Sequence, residues 1–334
     1  MQTKEVFQAW GKILAGEKPS LSIEITKECP LRCPGCYAFA DGHVGGNGAN
    51  LRDLSDYKAN ELIDRVIKLV DYYRPLHVSI VGGDPLVRFR ELDVIVPELH
   101  KRDVFLQIVT SAFRTIPADW ARYPKLGIVV SIDGLQPEHD ARRKPATYER
   151  ILKNIAGHCV TVHCTITSQM MRDRTYLERF LHFWSERAEV RKVWMSIFTP
   201  QIGERAEEIL SPPQRAQCIA ELRRLRTLYP KLDMYDAQIL EFANPPESPE
   251  DCIFAQTTTI ISADLKTQVL PCQLGGRPDC SQCGCVASMG MAAVGHHRVA
   301  FGVTAGQLFN ISNGIGRRVR KLRSKRRRPV NQAA

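Results

Sequence analysis

The sequence has no apolar run long enough to cross a bilayer as a helix. Its first residues, Met1-Gln2-Thr3-Lys4-Glu5-Val6, lack the apolar core that follows the basic start of a secretory signal. The eleven cysteines therefore read as metal ligands and reduced thiols of a cytoplasmic protein, and disulfides are not expected. Excess charge is also missing from the body of the chain. The formal net charge is +10, but Arg317, Arg318, Arg320, Lys321, Arg323, Lys325, Arg326, Arg327 and Arg328 are nine of the 46 basic residues. The 37 that remain face 36 acidic residues, so no extended basic face is expected outside the tail. There is no internal repeat. The Gly-rich stretch 41–53 lacks the Gly-Lys-Ser/Thr ending of a phosphate loop and reads as a flexible connector, with a lid as the functional alternative.

What the chain does have is a composition suited to a large buried core, with 44% hydrophobic and 25% charged residues over 334 positions. Residues 1–20 read as a short helical lead-in with Phe7, Trp10, Ile13 and Leu14 on one side. Strands are expected at 21–26, 76–81, 104–110, 126–132, 160–166 and 192–198. Helical stretches alternate with them near 57–73, 88–101, 116–123, 147–156 and 173–187. The Val- and Ile-rich strands show little polar alternation, as in a parallel sheet covered on both faces. A further helix starts at Ser211 with a capping-box pattern to Gln214, Pro212 in its first turn, and Cys218, Ile219, Leu222, Leu225 and Tyr229 along one side. Six strand–helix units fit either a doubly wound α/β sheet or an incomplete barrel, and a full barrel needs eight. Residues 245–251 read as a linker, 245–300 as a cysteine-rich accessory segment, and 301–334 as a basic tail expected to be disordered.

The chemistry concentrates in Cys29-Pro30-Leu31-Arg32-Cys33-Pro34-Gly35-Cys36-Tyr37, directly after the first strand. Three thiols this close converge on one centre at little loop-closure cost, and two prolines narrow the ensemble to be ordered. Such spacing suits an iron–sulfur cluster with one open iron, or zinc with His43 as fourth ligand.

The C-x3-C-x2-C loop resembles the signature of the radical S-adenosylmethionine (radical SAM) enzymes. The resemblance implies a [4Fe–4S] cluster on Cys29, Cys33 and Cys36, with S-adenosylmethionine on the fourth iron, and it selects a partial (β/α)6 TIM-like barrel over 21–240. Ile80-Val81-Gly82-Gly83-Asp84-Pro85 ends the second strand where the family shows Gly-Gly-Glu-Pro, so Gly82, Gly83 and Asp84 are implied cofactor contacts. Ser131-Ile132-Asp133-Gly134 is similar to the family's Ser-x-Asp-Gly, which implies that Ser131 and Asp133 face the nucleotide. Thr110-Ser111-Ala112 departs from the family's Thr-Asn-Gly. Tyr37 packs either on adenine or into the barrel mouth. His139 and Asp140 read as a structural turn pair.

Of the later cysteines, Cys252, Cys272, Cys280 and Cys283 form a candidate auxiliary [4Fe–4S] site, with Cys285 as a rival ligand and zinc as the alternative metal. This segment resembles a SPASM/twitch domain. Its place after the barrel also resembles radical adenosylating enzymes of hopanoid lipid synthesis. The expected activity is reductive cleavage of S-adenosylmethionine and radical modification of an unidentified substrate, with ferredoxin or flavodoxin as electron donor. The tail suggests a lipid or membrane-associated substrate and an anionic membrane surface, at about 1 kcal/mol per basic residue near the lipid. The alternatives are a maturase of a ribosomal peptide and a non-enzymatic zinc or iron–sulfur protein.

Overall fold

The strands alternate with period two once their neighbours are known, and this sets the architecture. In the computed structural model, which describes residues 3–45, 48–300 and 302–326, the strands are β1 (Ser20–Glu24), β2 (His77–Val81), β3 (Phe105–Thr110), β4 (Leu126–Ile132), β5 (Val160–Ile166), β6 (Val190–Ile197), β7 (Thr258–Ile261), β8 (Arg298–Ala300) and β9 (Val303–Thr304). The helices are α1 (Thr3–Leu14), α2 (Ala59–Tyr73), α3 (Phe89–Lys101), α4 (Gln136–Arg143), α5 (Tyr148–Asn154), α6 (Tyr176–Ser185), α7 (Pro212–Leu228), α8 (Asp236–Leu240), α9 (Ile253–Thr257), α10 (Val286–His296) and α11 (Ala305–Arg326). β1 to β7 form one parallel sheet in the order β6-β5-β4-β3-β2-β1-β7, and β8 and β9 form a separate antiparallel pair. The sheet is an open, incomplete barrel, as expected for the partial (β/α)6 architecture.

Register brings Ile23, Ile80, Ile108, Ile128 and Val160 into one row, all buried. The opposite face carries polar rows, with Ser22, Ser79 and Gln107 in one and Ser131, His163 and Trp194 in another. Expecting strands apolar on both faces was therefore wrong. One face packs on helices, and the other lines the barrel interior. The capping box at α7 is formed by Ser211 and Gln214, and Cys218, Ile219, Leu222 and Leu225 are buried as the helical spacing predicts.

Three expectations need correction. First, β7 lies within the segment set aside as an accessory, yet it pairs with β1 over Ser20–Ile23. The segment after residue 245 therefore completes the main sheet. Second, the tail is helical through Arg326 because Ser312 and Gly316 pack on α1 and the same helix also rests on α10, tertiary faces hidden by the basic composition. Phe309 and Ser312 are buried, the Trp10 indole donates to Ser312 at 3.0 Å, and a Cβ on Gly316 would lie 2.0 Å from the Ile13 carbonyl. Arg327, Arg328 and the rest of the expected tail lie outside the described residues. Third, Phe7 of α1 is 71% exposed, whereas Ile13 is buried. Among the described residues no helix is long and apolar enough to cross a membrane.

Candidate active site

The segment after β1 is held by the turn after β2. The Ile25 amide donates to Val81 O (2.9 Å), the Gly83 amide to Thr26 O (2.8 Å) and the Asp84 amide to Glu28 O (3.0 Å). A Cβ on Gly82, which has φ +124°, would stand 2.7 Å from Thr26 O, and one on Gly83 would stand 2.2 Å from Glu28 O. The close approach that these glycines permit is therefore to the chain's own backbone, immediately before Cys29. Arg88 clamps the same segment. Its buried guanidinium donates to Glu28 (3.0 Å) and Asp56 (2.8 Å), and Asp56 also accepts from the Thr26 hydroxyl (2.8 Å) and the Lys27 amide (3.3 Å). Arg88 and then Lys58 hold the Glu28 carboxyl down at about 2. Nothing in the local pattern around Arg88 marks it in advance, because its partners lie 60 and 32 residues away.

Cys29, Cys33 and Cys36 are half-buried. Burial pushes the Cys29 thiol up to about 12 and raises the other two. Backbone amides already point at the sulfurs, from Leu31 to Cys29 Sγ at 3.4 Å and from Ala38 and Phe39 to Cys36. Arg143 adds a positive field at Cys33 and Cys36. Its Nε stands 2.8 Å from Asp133, while the neighbouring Arg142 bonds Glu208 (3.1 Å) and the Pro34 carbonyl (3.2 Å). Thiol donors, amides aimed at sulfur and a nearby guanidinium fit an anionic thiolate-held cluster. As the side chains stand, no three of His, Cys, Asp and Glu among the described residues are gathered at single-ion spacing.

The implied nucleotide contacts fare differently. Asp84 is fully buried, and its carboxylate acts on the Cys29 thiol while bonding to the ends of β2 and β3. It accepts from the Leu86 amide (3.0 Å), the Thr110 hydroxyl (2.7 Å), the Ser111 amide (2.8 Å) and the Ser111 hydroxyl. A carboxylate with four donors ties β2 to β3, so this side chain carries a structural load whatever its backbone meets. The same bonds account for Thr110-Ser111 at the end of β3. Asp133 lies near the cysteines but is engaged by Arg143, and Ser131 sits beside His163 across the β4–β5 pair. His139 is buried and structural, as expected: its Nδ1 accepts from the Asp133 amide (2.9 Å), and its Nε2 faces Ala146 O at 2.8 Å.

Tyr37 lines a cleft of about 640 Å³ together with Arg32, Cys33, Cys36, Arg52 and Phe198. Its hydroxyl accepts from Gln273 (3.2 Å), and its ring lies 5.6 Å from the His43 ring. His43 is not a metal ligand here, which removes the zinc arrangement that used it. Its Nε2 bonds Glu24 (2.7 Å) and its Nδ1 faces Leu274 O (3.1 Å), while Ser262 donates to the other Glu24 oxygen. Burial works against charge on this imidazole, but Glu24 outweighs it and raises the pKa. His43 thus pins the Gly-rich stretch 41–53, which rules against a freely swinging lid. Gly46 and Asn47 of that stretch lie outside the described residues.

The later cysteines share one neighbourhood. Cys272, Cys280, Cys283 and Cys285 each sense the charge of Cys252 or of one another, and Cys252 Sγ lies 3.1 Å from Ser288 Oγ. Arg215 of α7 donates to the carbonyls of Phe242 (2.8 Å), Gln282 (3.1 Å) and Cys283. Gly284 is bonded to Ile197 and Thr199 at the end of β6. Cys36 and Cys285 both act on the Tyr37 hydroxyl, so one thiol of each cysteine group lies in its neighbourhood.

Residues 23–178 match the family model of the radical SAM superfamily. No curated protein matches the chain. Among solved structures, Streptococcus suis SuiB bound to S-adenosylmethionine superposes with a TM-score of 0.50 and 15% identity over 78% of this chain and 60% of that one. Native anSMEcpe with bound AdoMet gives 0.56 and 15%, over 76% and 74%. The same protein with AdoMet and Kp18Cys peptide gives 0.53 and 13%, over 92% and 100%. At these identities the likeness is one of fold, and the chain spans about 60% of the length of SuiB. The family match over β1 to β5 and the cysteine loop at the end of β1 agree: residues 23–178 form a radical SAM domain.

Proposed function

We propose that Cys29, Cys33 and Cys36 carry a [4Fe–4S] cluster and that S-adenosylmethionine lies in the adjoining cleft. The observation that carries this reading is the packing of the segment that leads into the cysteine loop onto the Gly82-Gly83 turn, with Arg143 from the end of α4 acting on Cys33 and Cys36. A cluster held by these three cysteines would supply one-electron reduction of the sulfonium, the chemistry by which the cofactor becomes a source of a radical. The chain's own residues bind and orient. Arg143 suits a carboxylate of the cofactor, Asp133 holds Arg143 in place, Ser131 lines the barrel face, and Tyr37 walls the cleft. Cys252, Cys272, Cys280 and Cys283 are proposed to hold an auxiliary [4Fe–4S] cluster, in a SPASM/twitch-like role. Ferredoxin or flavodoxin in the cytoplasm supplies electrons.

For the substrate, the basic C-terminal helix favours a lipid or membrane-associated molecule. A peptide is the second reading, favoured by the likeness of fold to SuiB bound to precursor peptide SuiA and to anSMEcpe with bound Cp18Cys peptide. The test is anaerobic reconstitution with iron and sulfide, followed by dithionite and S-adenosylmethionine. 5′-Deoxyadenosine is expected from the natural chain and not from Cys33→Ala. Zinc as the only bound metal, or an intact reduced cluster that yields no 5′-deoxyadenosine, would overturn the reading.

A further inference from the structure

We propose that α11 docks the protein on an anionic membrane surface. α11 has two apolar faces. Phe309, Ser312 and Gly316 form the buried face, on which Ser312 and Gly316 meet α1. Leu308, Ile311, Ile315 and Leu322 form a second row at spacings of three, four and seven residues, which places them on one side of the helix. They are 37%, 63%, 46% and 63% exposed, so the row is uncovered. The exposed Arg317 and Arg318 begin a basic stretch on the same helix that continues with Lys321, while Arg320 and Arg323 lie over the turn after α1, where Arg323 pairs with Glu17 at 3.9 Å; the helix carries no acidic residue. α1, its neighbour, adds exposed Phe7 and Leu14, seven residues apart.

An apolar row flanked by arginines is the pattern of a helix lying in the headgroup region. A nucleic acid would engage the charge and leave the apolar row in water. A two-fold pairing of the same face would set the like-charged arginines of two copies against each other. An anionic leaflet satisfies both features at once. This proposal stands apart from the radical chemistry, and its readout does not need turnover.

The test is flotation of the cluster-loaded full chain with phosphatidylcholine vesicles, with and without phosphatidylglycerol. Binding is expected to be about tenfold or more tighter to the anionic vesicles. The Ile311→Ser/Ile315→Ser/Leu322→Ser variant is expected to lose about tenfold in binding, with its thermal midpoint and 5′-deoxyadenosine yield in solution retained. Should that variant not fold, Arg317→Gln/Arg318→Gln carries the same test through the charge alone, with weaker anionic binding expected. Equal binding to neutral and anionic vesicles, no vesicle binding, or undiminished binding by a folded variant would overturn the proposal. So would a lipid-free dimer that the serine substitutions dissolve, or capture by duplex DNA or RNA without vesicle binding.

Discussion

Asp84 looks like a ligand residue in the sequence and behaves as a brace in the fold. Its oxygens accept from four donors at the ends of β2 and β3. Asp84→Ala strands these buried donors and is expected to cost about 3 kcal/mol of stability in urea unfolding. Asp84→Asn, which keeps one acceptor oxygen, should cost less and leave the KM for S-adenosylmethionine unchanged. A selective rise in that KM would restore the direct contact. His139 supports a pH prediction. Burial holds its pKa at about 4, below the ordinary 6.5, so the unfolded chain binds the extra proton first. Its contribution is complete above pH 6.5 and is lost as pH falls toward 4, on the order of 3 kcal/mol over that window. His163 is depressed to about 4 by burial as well and adds to the same acid limb. Thermal midpoints measured from pH 7 to 4 should fall, and His139→Gln, which can keep both hydrogen bonds, should flatten the decline. At this scale the cysteine loop was legible because its three cysteines are neighbours in sequence. The roles of Asp84, His43 and Arg88 were not, because each is decided by partners on other strands or loops.

The six central strands were legible from their runs of Val and Ile, and α7 from its cap. The alternation within the strands was harder to read. The inward Ser, Gln and His positions are identified as one lining only when register aligns Ser22 with Ser79 and Gln107. β7 was missed because four residues, Thr258 to Ile261, are too short a pattern without β1 beside them. The crossing of α1 and α11 is equally a matter of partners, since Gly16 and Gly316 permit a contact that no periodicity reports. Gly316→Val, with its Cβ driven against the Ile13 carbonyl, is expected to cost about 1–3 kcal/mol. Amide exchange in α1 and α11 should quicken while β1 to β6 keep their protection.

For the whole molecule, the two cysteine groups belong to one sheet-centred body. β7 pairs with β1, and the loop around Gly284 is fastened to β6. Full reconstitution should give roughly eight iron atoms per chain if both groups carry clusters, and Cys272→Ser should bring this to roughly four. An unchanged iron content would remove the auxiliary assignment. A chain cut after residue 250 lacks β7, so it should lose a cooperative unfolding transition as well as any iron that the later cysteines carry.

The pairing of the first strand with the last of the sheet also governs how the protein is made. β1 emerges early from the ribosome, but the strand that covers its outer edge is encoded more than 230 residues later. At ordinary translation speeds that interval is roughly 10 to 50 s. Throughout it a row of unsatisfied backbone groups stays open to neighbouring nascent chains. Heterologous expression should therefore respond to slower growth temperature and to chaperones that shield the polypeptide until synthesis has passed residue 261.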